Sequence, residues 1–261
     1  MDRNQEMKIG LALGAGAVRG LAHLAVLDVL KREGIRIDCI AGCSIGSLIG
    51  GVYAAGLPVK YIKELAREID WDHITDITFP RQGLVKGDKF LSFLELITQG
   101  KNIEDLNIPF AAIACDIEQG EHIVIKEGSL AKAIRASTSI PGIYVPFKHK
   151  GRLLVDGGVL DTIPVSTVRD MGADIVIAVD VGVKKVNDSV KNIFDILFNT
   201  FDIMQHELEK HKTLAADIII RPDLADCSGF DLDQVDKCLS VGYSAVEDIL
   251  PDLIKLIKER I

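Results

Sequence analysis

The feature that most constrains the fold is the stretch Gly42-Cys43-Ser44-Ile45-Gly46, because a short apolar segment (residues 39–41) precedes it and a helix-length, uncharged run follows it. G-x-S-x-G in that setting is typical of a nucleophile elbow, a sharp strand-to-helix turn that exposes a serine hydroxyl above a sheet. Gly42 and Gly46 leave out β-carbons where the turn is tightest. The sequence therefore predicts a strained, exposed Ser44 at a helix N-terminus, where unpaired N–H groups favour negative charge.

A second glycine-rich turn follows the apolar run 9–13 and precedes an amphipathic helix; it reads Gly14-Ala15-Gly16-Ala17-Val18-Arg19-Gly20. Beyond a plain structural turn, its backbone N–H groups suit either a dinucleotide pyrophosphate or the oxyanion of an ester under cleavage. The nucleotide interpretation fails because Arg19 stands where the fingerprint has glycine, and Asp38 precedes the second strand instead of ending it. Both turns are expected at one edge of an open α/β sheet, where such sheets place their active sites.

A carboxylate ends a third apolar strand, at Asp156-Gly157-Gly158 after residues 153–155. Small residues after the carboxylate let the strand end open into a cleft, although an Asp-Gly pair is also an ordinary turn. Asp161 is a second candidate acid, but it is expected to cap the segment that begins at Thr162. Asp156 is therefore the preferred partner for Ser44.

The histidines decide between a triad and a simpler pair. A Ser-His-Asp hydrolase of the α/β type needs a histidine after the acid, and only His206 and His211 follow Asp156. Both lie in a helical pattern over residues 189–216, and we expect them to be solvated with the rest of its polar face. The other members of that face are Gln205, Glu207, Glu209, Lys210 and Lys212. His23 lies in the helix that follows the glycine-rich turn at residues 14–20 (the glycine loop), and we expect it to have a packing role there.

None of the six histidines has the setting of a general base. That leaves Ser44 and Asp156 as a two-residue unit, in which Asp156 accepts the serine proton. Partial desolvation would raise the pKa of Asp156 and make it a better base.

Taken together, these motifs resemble the patatin-like phospholipase family over about residues 8–182. The order and spacing of Gly14-x-Gly16-x-x-Arg19-Gly20, Gly42-x-Ser44-x-Gly46 and Asp156-Gly157-Gly158 carry the resemblance, and segments 83–88, 136–142 and 156–164 are similar to bacterial members. The resemblance implies a Ser-Asp dyad with Ser44 as nucleophile and Asp156 as base, an oxyanion hole near residues 16–19, and hydrolysis of lipid acyl esters. It implies no calcium.

Alternating strand-like and helical runs predict an α/β fold with a mainly parallel central sheet flanked by helices, the three-layer fold that the resemblance implies. Strands are expected near Ile9, Cys39, Phe110, Leu153, Ile175 and Ile218, with a hairpin between 110–115 and 122–126. With 261 residues, 48% of them hydrophobic, we expect one domain: a motif-bearing core at about 8–182 and a helical completion at about 189–261.

The formal net charge of −8 argues against nucleic acid and against electrostatic capture by anionic lipid. Peripheral membrane contact would have to be apolar, and two segments offer it. The helix over 189–216 has a wide apolar surface that fits a buried helix, a homo-oligomer interface or a lipid-docking face. The segment 71–93 is either a flap over the acyl site or an ordinary connection.

Five cysteines, an odd count without zinc spacing, predict neither a disulfide framework nor a metal centre, and Cys43 is expected to be a small buried filler. The acidic residues of 223–236 lack an EF-hand pattern, so no metal or cofactor is expected. Asp231 or Asp233 is expected to cap a helix through Tyr243. A cytoplasmic location follows as an expectation, because residues 1–7 lack an apolar signal core.

These features predict a serine esterase or lipid acyl hydrolase. Arg19 is expected either to hold the glycine loop or to attract a phosphate head group. Two alternatives keep the same fold: an acyltransferase that uses Ser44, and a regulatory protein without turnover.

Overall fold

A computed structural model describes residues 7–79, 81–182, 190, 192–210, 215–227 and 232–260. Its main sheet has eight strands in the order β10-β9-β1-β2-β4-β8-β7, with β5 paired to β4. A two-stranded sheet of β3 and β6 stands apart. The strands are β1 (Ile9–Leu13), β2 (Cys39–Cys43), β3 (Gly83–Val85), β4 (Phe110–Asp116), β5 (Glu121–Ile125), β6 (Gly142–Tyr144), β7 (Phe147–His149), β8 (Arg152–Asp156), β9 (Ile175–Val179) and β10 (Ile218–Ile220).

The centre of the main sheet is parallel and one side of it is antiparallel. Strands β10, β9, β1, β2 and β4 run parallel, whereas β5 and β8 pair antiparallel with β4, and β7 pairs antiparallel with β8. The predicted strands and the predicted hairpin are confirmed.

Helices cover both faces of the sheet. They are α1 (Ala22–Arg32), α2 (Ile45–Ala54), α3 (Val59–Glu68), α4 (Trp71–Ile74), α5 (Asp88–Ile97), α6 (Leu130–Ser137), α7 (Val165–Asp170), α8 (Ile193–Glu209) and α9 (Val235–Arg260). Short 3₁₀ turns occur at Ala17–Leu21, Ile103–Asp105, Gly157–Val159 and Leu232–Gln234.

Side chains alternate between the two faces of the sheet along β1, and they contribute to two hydrophobic clusters of unequal size, one on each face. Its large side chains, Leu11 and Leu13, point into the main hydrophobic core together with residues of α1, α2, α6 and α9. Ala12 points to the other face, where a smaller cluster with Val165 and Val168 of α7 covers the sheet. Because successive strand residues face opposite sides, a strand buried on both faces needs apolar residues throughout, which is why these runs were recognisable.

The last helix differs from the sequence-based expectation. Helix α9 runs unbroken from Val235 to Arg260 through Pro251, well beyond the predicted end at Tyr243, because it packs along α1. Asp231 lies outside the described residues, and Asp233 lies in the 3₁₀ turn before α9. In the segment 71–93, helix α5 buries Phe90 against the core, as expected of an ordinary connection, whereas Ile77 and Phe79 are exposed.

Candidate active site

The Ser44 turn has the geometry of a nucleophile elbow. Ser44 connects β2 to α2 with φ 53° and ψ −122°, a positive φ that is strained for any residue with a β-carbon. A β-carbon at Gly46 would overlap the backbone oxygen of Leu13, and one at Gly42 would overlap Gly46. The turn therefore requires glycine at both positions, as predicted.

Strand register brings the glycine loop and Ser44 to the same edge. Leu13, the last residue of β1, pairs with Gly42 of β2, so the two turns leave adjacent strands side by side. Ser44 is 5% exposed. The predicted open position of its side chain is therefore wrong for this state, because the glycine loop and the end of α6 enclose the elbow.

Asp156, at the end of β8, is a buried carboxylate with few partners. Its backbone pairs with β4 opposite Ala114, and its Oδ1 accepts hydrogen bonds from Gly158 N (2.8 Å) and from the Cys43 thiol (3.9 Å). Burial raises the pKa of Asp156 to about 7, while hydrogen bonding from Ser44, Gly158 and Cys43 opposes the rise.

The second oxygen of Asp156 is less well satisfied. Oδ2 is buried and makes no hydrogen bond of good geometry to any described residue. Ser44 nevertheless acts on this carboxyl group as a hydrogen-bonding neighbour. Serine–base contacts are often long or poorly aligned without substrate and shorten when it binds.

The end of α6 contacts both Ser44 and Asp156. Ser137 Oγ accepts a hydrogen bond from the Ser44 amide (3.0 Å), and Ser139 O accepts one from the Asp156 amide (2.9 Å). Residues 136–142 thus set the relative position of the two side chains. Ser137 itself had no assigned role in the sequence analysis.

The glycine loop is anchored at its start and clamped by Arg19. The amides of Gly14 and Ala15 donate to Val179 O (3.0 Å) and Thr162 O (2.9 Å). Arg19 is 3% exposed; its Nε donates to Gly16 O (3.2 Å), and its Nη2 pairs with Asp202 Oδ2 of α8 (2.7 Å). This geometry matches the expectation that Arg19 holds the loop.

Helix α8 turns polar side chains inward, contrary to the sequence-based interpretation. Gln205 and Glu209 are 6% and 7% exposed, although both were predicted to be solvated. Together with Asp202 they occupy positions i, i+3 and i+7 of one helix face. That face packs on the 3₁₀ turn after Asp156, with Gln205 against Gly158 and Glu209 against Gly182. The i, i+3, i+7 spacing indicates from the sequence that these side chains share one face of the helix. It does not indicate whether that face meets solvent or the rest of the protein.

Burial and the nearby Asp180 carboxylate raise the pKa of Glu209, whereas the Thr162 hydroxyl and Arg221 lower it. The inward polar face of α8 thus holds the ionisable side chain of Glu209 away from water, beside the glycine loop.

The outer face of α8 is apolar. Half or more of the surface of Ile193, Ile203 and Met204 is exposed, and Ile196 is nearly as open. Neither a fully buried helix nor a solvated polar face describes this element. Among the described residues, no helix combines the length and hydropathy needed to cross a bilayer.

The remaining candidates lie elsewhere. His23 is buried, and its Nε2 bonds to Gly14 O (2.9 Å), which confirms a packing role. His206 is half-buried on α8, and His211 falls outside the described residues. Asp161 pairs with His122 (3.3 Å) and caps no helix, because α7 begins later, at Val165.

Comparisons with known proteins agree with the motifs. A family model described as patatin-like phospholipase matches residues 11–169. An uncharacterized NTE family protein of Mycobacterium bovis is 38% identical over 175 residues, which cover 66% of this chain and 48% of that protein. The lysophospholipase NTE1 of Cryptococcus neoformans is 35% identical over 181 residues, which cover 67% of this chain and 11% of that protein. The chain thus spans about half or less of these relatives' length.

The fold also has a solved counterpart. VipD from Legionella pneumophila superposes with a TM-score of 0.68 at 13% identity, covering 95% of this chain and 67% of VipD. The family model, the relatives and the fold agree, and the chain belongs to the patatin-like phospholipase family.

Proposed function

We propose that this chain is a serine-dependent hydrolase of lipid acyl esters, in which Ser44 and Asp156 form a catalytic dyad. The observation that carries the proposal is the strained Ser44 (φ 53°) beside a fully buried carboxylate whose pKa is raised to about 7. A base works best when its pKa lies near the working pH. Family membership and a relative named as a lysophospholipase support a lipid ester as substrate.

In this mechanism Ser44 Oγ attacks the ester carbonyl while Asp156 Oδ2 takes the hydroxyl proton. The Oγ–acyl bond forms, and the alcohol leaves with the proton that Asp156 returns. Water then attacks the acyl-serine while Asp156 takes one of its protons; the acyl–Oγ bond breaks, Asp156 returns that proton to Ser44 Oγ, and the fatty acid leaves. Among the described residues, no partner of good hydrogen-bond geometry competes with Ser44 for Oδ2, which supports this role because an acceptor already engaged would be a weaker base.

The glycine loop is the proposed oxyanion site. Ala17 and Val18 begin the 3₁₀ turn, and the first amides of a helix have no partner within it. Gly14 and Ala15 anchor the loop through their own amides, while Arg19 fixes Gly16 from the side. Pre-positioned amides stabilise a developing oxyanion without reorganisation, and one donor is typically worth about 3 kcal/mol.

Peripheral contact with a lipid surface belongs to the same proposal. The exposed stripe Ile193, Ile196, Ile203 and Met204 lies on the helix whose other face covers the site. A second copy of the chain could cover the stripe instead. Vesicle flotation together with sedimentation analysis separates these two occupants.

Release of fatty acid from 1-acyl lysophosphatidylcholine tests the proposed activity. We expect turnover by the wild type, loss of at least about 10³-fold in Ser44→Ala, and no loss in Ser92→Ala, a matched change at an exposed serine. Turnover that survives in Ser44→Ala would contradict the proposal.

A further inference from the structure

Two side chains that both approach Gly158, Asp156 and Gln205, each carry a buried polar atom without a hydrogen bond of good geometry to any described residue. Among the described residues, neither Asp156 Oδ2 nor Gln205 Nε2 makes such a hydrogen bond, and both are shielded from water. A β-carbon at Gly158 would overlap Gln205 Nε2 and lie 3.1 Å from Asp156 Oδ1. The amide of Gln205 and the carboxylate of Asp156 therefore converge on one point above Gly158.

Gln205 differs in this respect from its neighbours on the same helix face. Asp202 is paired with Arg19, and Glu209 interacts with the residues around Asp180. An unsatisfied buried donor costs about 1–3 kcal/mol, and most buried polar groups in folded proteins avoid that cost. The Gln205 amide donor is thus buried near the candidate base Asp156 without an acceptor among the described residues. The simplest explanation is that a bound ligand supplies the acceptor.

The chemistry of ester cleavage indicates which part of the ligand meets this amide. After Ser44 attacks, Asp156 must return its proton to the oxygen of the departing alcohol, so that oxygen lies on the Asp156 side of Ser44. The carbonyl oxygen turns the other way, toward the glycine loop. Gln205 stands on the Asp156 side, because it packs on Gly158.

We propose that Gln205 Nε2 donates a hydrogen bond to a second hydroxyl oxygen of the alcohol leaving group, next to the departing oxygen, and thereby selects esters of glycerol-like polyols, which carry such a hydroxyl, over esters of simple alcohols, which lack it. This inference rests on the proposed function of Ser44 and Asp156. It makes Gln205 a substrate-binding residue for the head-group half of the lipid, separate from the acyl chain.

A pair of substrates that differ only in the alcohol tests the inference. We choose 1-monoacylglycerol and the ethyl ester of the same fatty acid, presented in the same detergent micelles, and measure the ratio of their kcat/KM values. Because one neutral hydrogen bond contributes about 1 kcal/mol, the wild type should favour the glycerol ester by about fivefold. Gln205→Met keeps the length of the side chain but lacks the donor, and the ratio should fall to about one.

His206→Ala, a change at the adjacent residue of α8, is the matched control and should keep the wild-type ratio. A wild type without preference overturns the inference, even if Gln205→Met fails to fold. An equal loss on both substrates in Gln205→Met also overturns it, since that result assigns Gln205 to packing or to Asp156 alone. Failure of the proposed function looks different, because both esters would then still be cleaved by Ser44→Ala.

Discussion

Two buried polar clusters of this molecule differ in how completely their hydrogen bonds are satisfied. Arg135 of α6 is 2% exposed and donates to Gly87 O (3.1 Å), Ser139 Oγ (2.6 Å), Lys86 O (2.9 Å) and Val145 O (3.1 Å). The guanidinium also stacks over aromatic rings of β6 and β7. A network in which every guanidinium nitrogen donates specifies structure, here by tying residues 83–87 to α6.

The cluster around Ser44 is the opposite case. Asp156 Oδ2 and the side-chain nitrogen of Gln205 make no hydrogen bond of good geometry to any described residue, and the serine backbone is strained. Such deficits persist only where the surrounding fold enforces them, and they cluster at functional sites. The satisfied cluster thus stabilises the fold, whereas the unsatisfied one is kept for a substrate.

The largest effect should come from removing the base of the unsatisfied cluster. Asp156→Asn keeps an acceptor for the Gly158 amide but cannot take the Ser44 proton, so kcat should fall by about 10²–10⁴-fold. Steady-state hydrolysis of a lysophospholipid measures it. Turnover within threefold of wild type would contradict the role of Asp156.

Next in size is the loss of the satisfied cluster. Arg135→Met leaves three backbone carbonyls and a hydroxyl without their donor, and we expect about 3 kcal/mol of destabilisation. Urea unfolding monitored by circular dichroism measures it. A change below about 1 kcal/mol would mean that the cluster is not structural.

The same Asp156→Asn variant should be more stable than the wild type at high pH. Because the folded-state pKa of Asp156 is raised to about 7, above the unfolded value near 4, the native state holds a proton that the unfolded chain has lost. The stability that the proton provides is complete below pH 4 and is lost as pH rises through about 7.

Asparagine stays neutral at every pH, so the variant should gain about 4 kcal/mol over the wild type at pH 8 and little at pH 4. Urea unfolding at the two pH values tests this gain. Equal stability of both proteins at pH 8 would show that Asp156 carries no desolvation cost.

The pH profile of the wild type sharpens the comparison further. Asp156 must be ionised to act as base, so kcat/KM should drop about tenfold per pH unit below a midpoint at about 7 and level off above it. Activity that stays flat down to pH 5 would exclude Asp156 as the titrating base.

The smallest effect is expected at His206. Helix α8 leaves this side chain half-buried outside both clusters, so His206→Ala should change turnover by less than about twofold and stability by less than about 0.5 kcal/mol. A loss as severe as that of Ser44→Ala would favour a catalytic triad instead of a dyad.

Much of the fold was predictable because local rules and tertiary packing agree in the core. Strands such as β1 and β9 are apolar throughout since both of their faces are buried. The turn at Ser44 needs glycine at positions 42 and 46, a pattern that indicates a tight strand-to-helix turn. These signals lie within a few residues of one another, so sequence spacing alone could place Ser44 next to the glycine loop.

The docking of helix α8 over the candidate site was not predictable in the same way. Asp202 meets Arg19 across 183 residues, and a charged helix face looks the same in sequence whether it meets water or a buried partner. Gln205 and Glu209 were therefore assigned to the solvent. Their inward orientation depends on how α8 docks on Gly158 and Gly182, which no local pattern of the chain encodes.

Fluorophosphonate labelling tests whether Ser44 is a nucleophile that Asp156 activates. We expect a phosphonate adduct on Ser44 of the purified protein, mapped by mass spectrometry, absent in Ser44→Ala and strongly reduced in Asp156→Asn. An adduct that forms equally fast in Asp156→Asn, or no adduct on the wild type in the presence of lipid vesicles, would contradict the account.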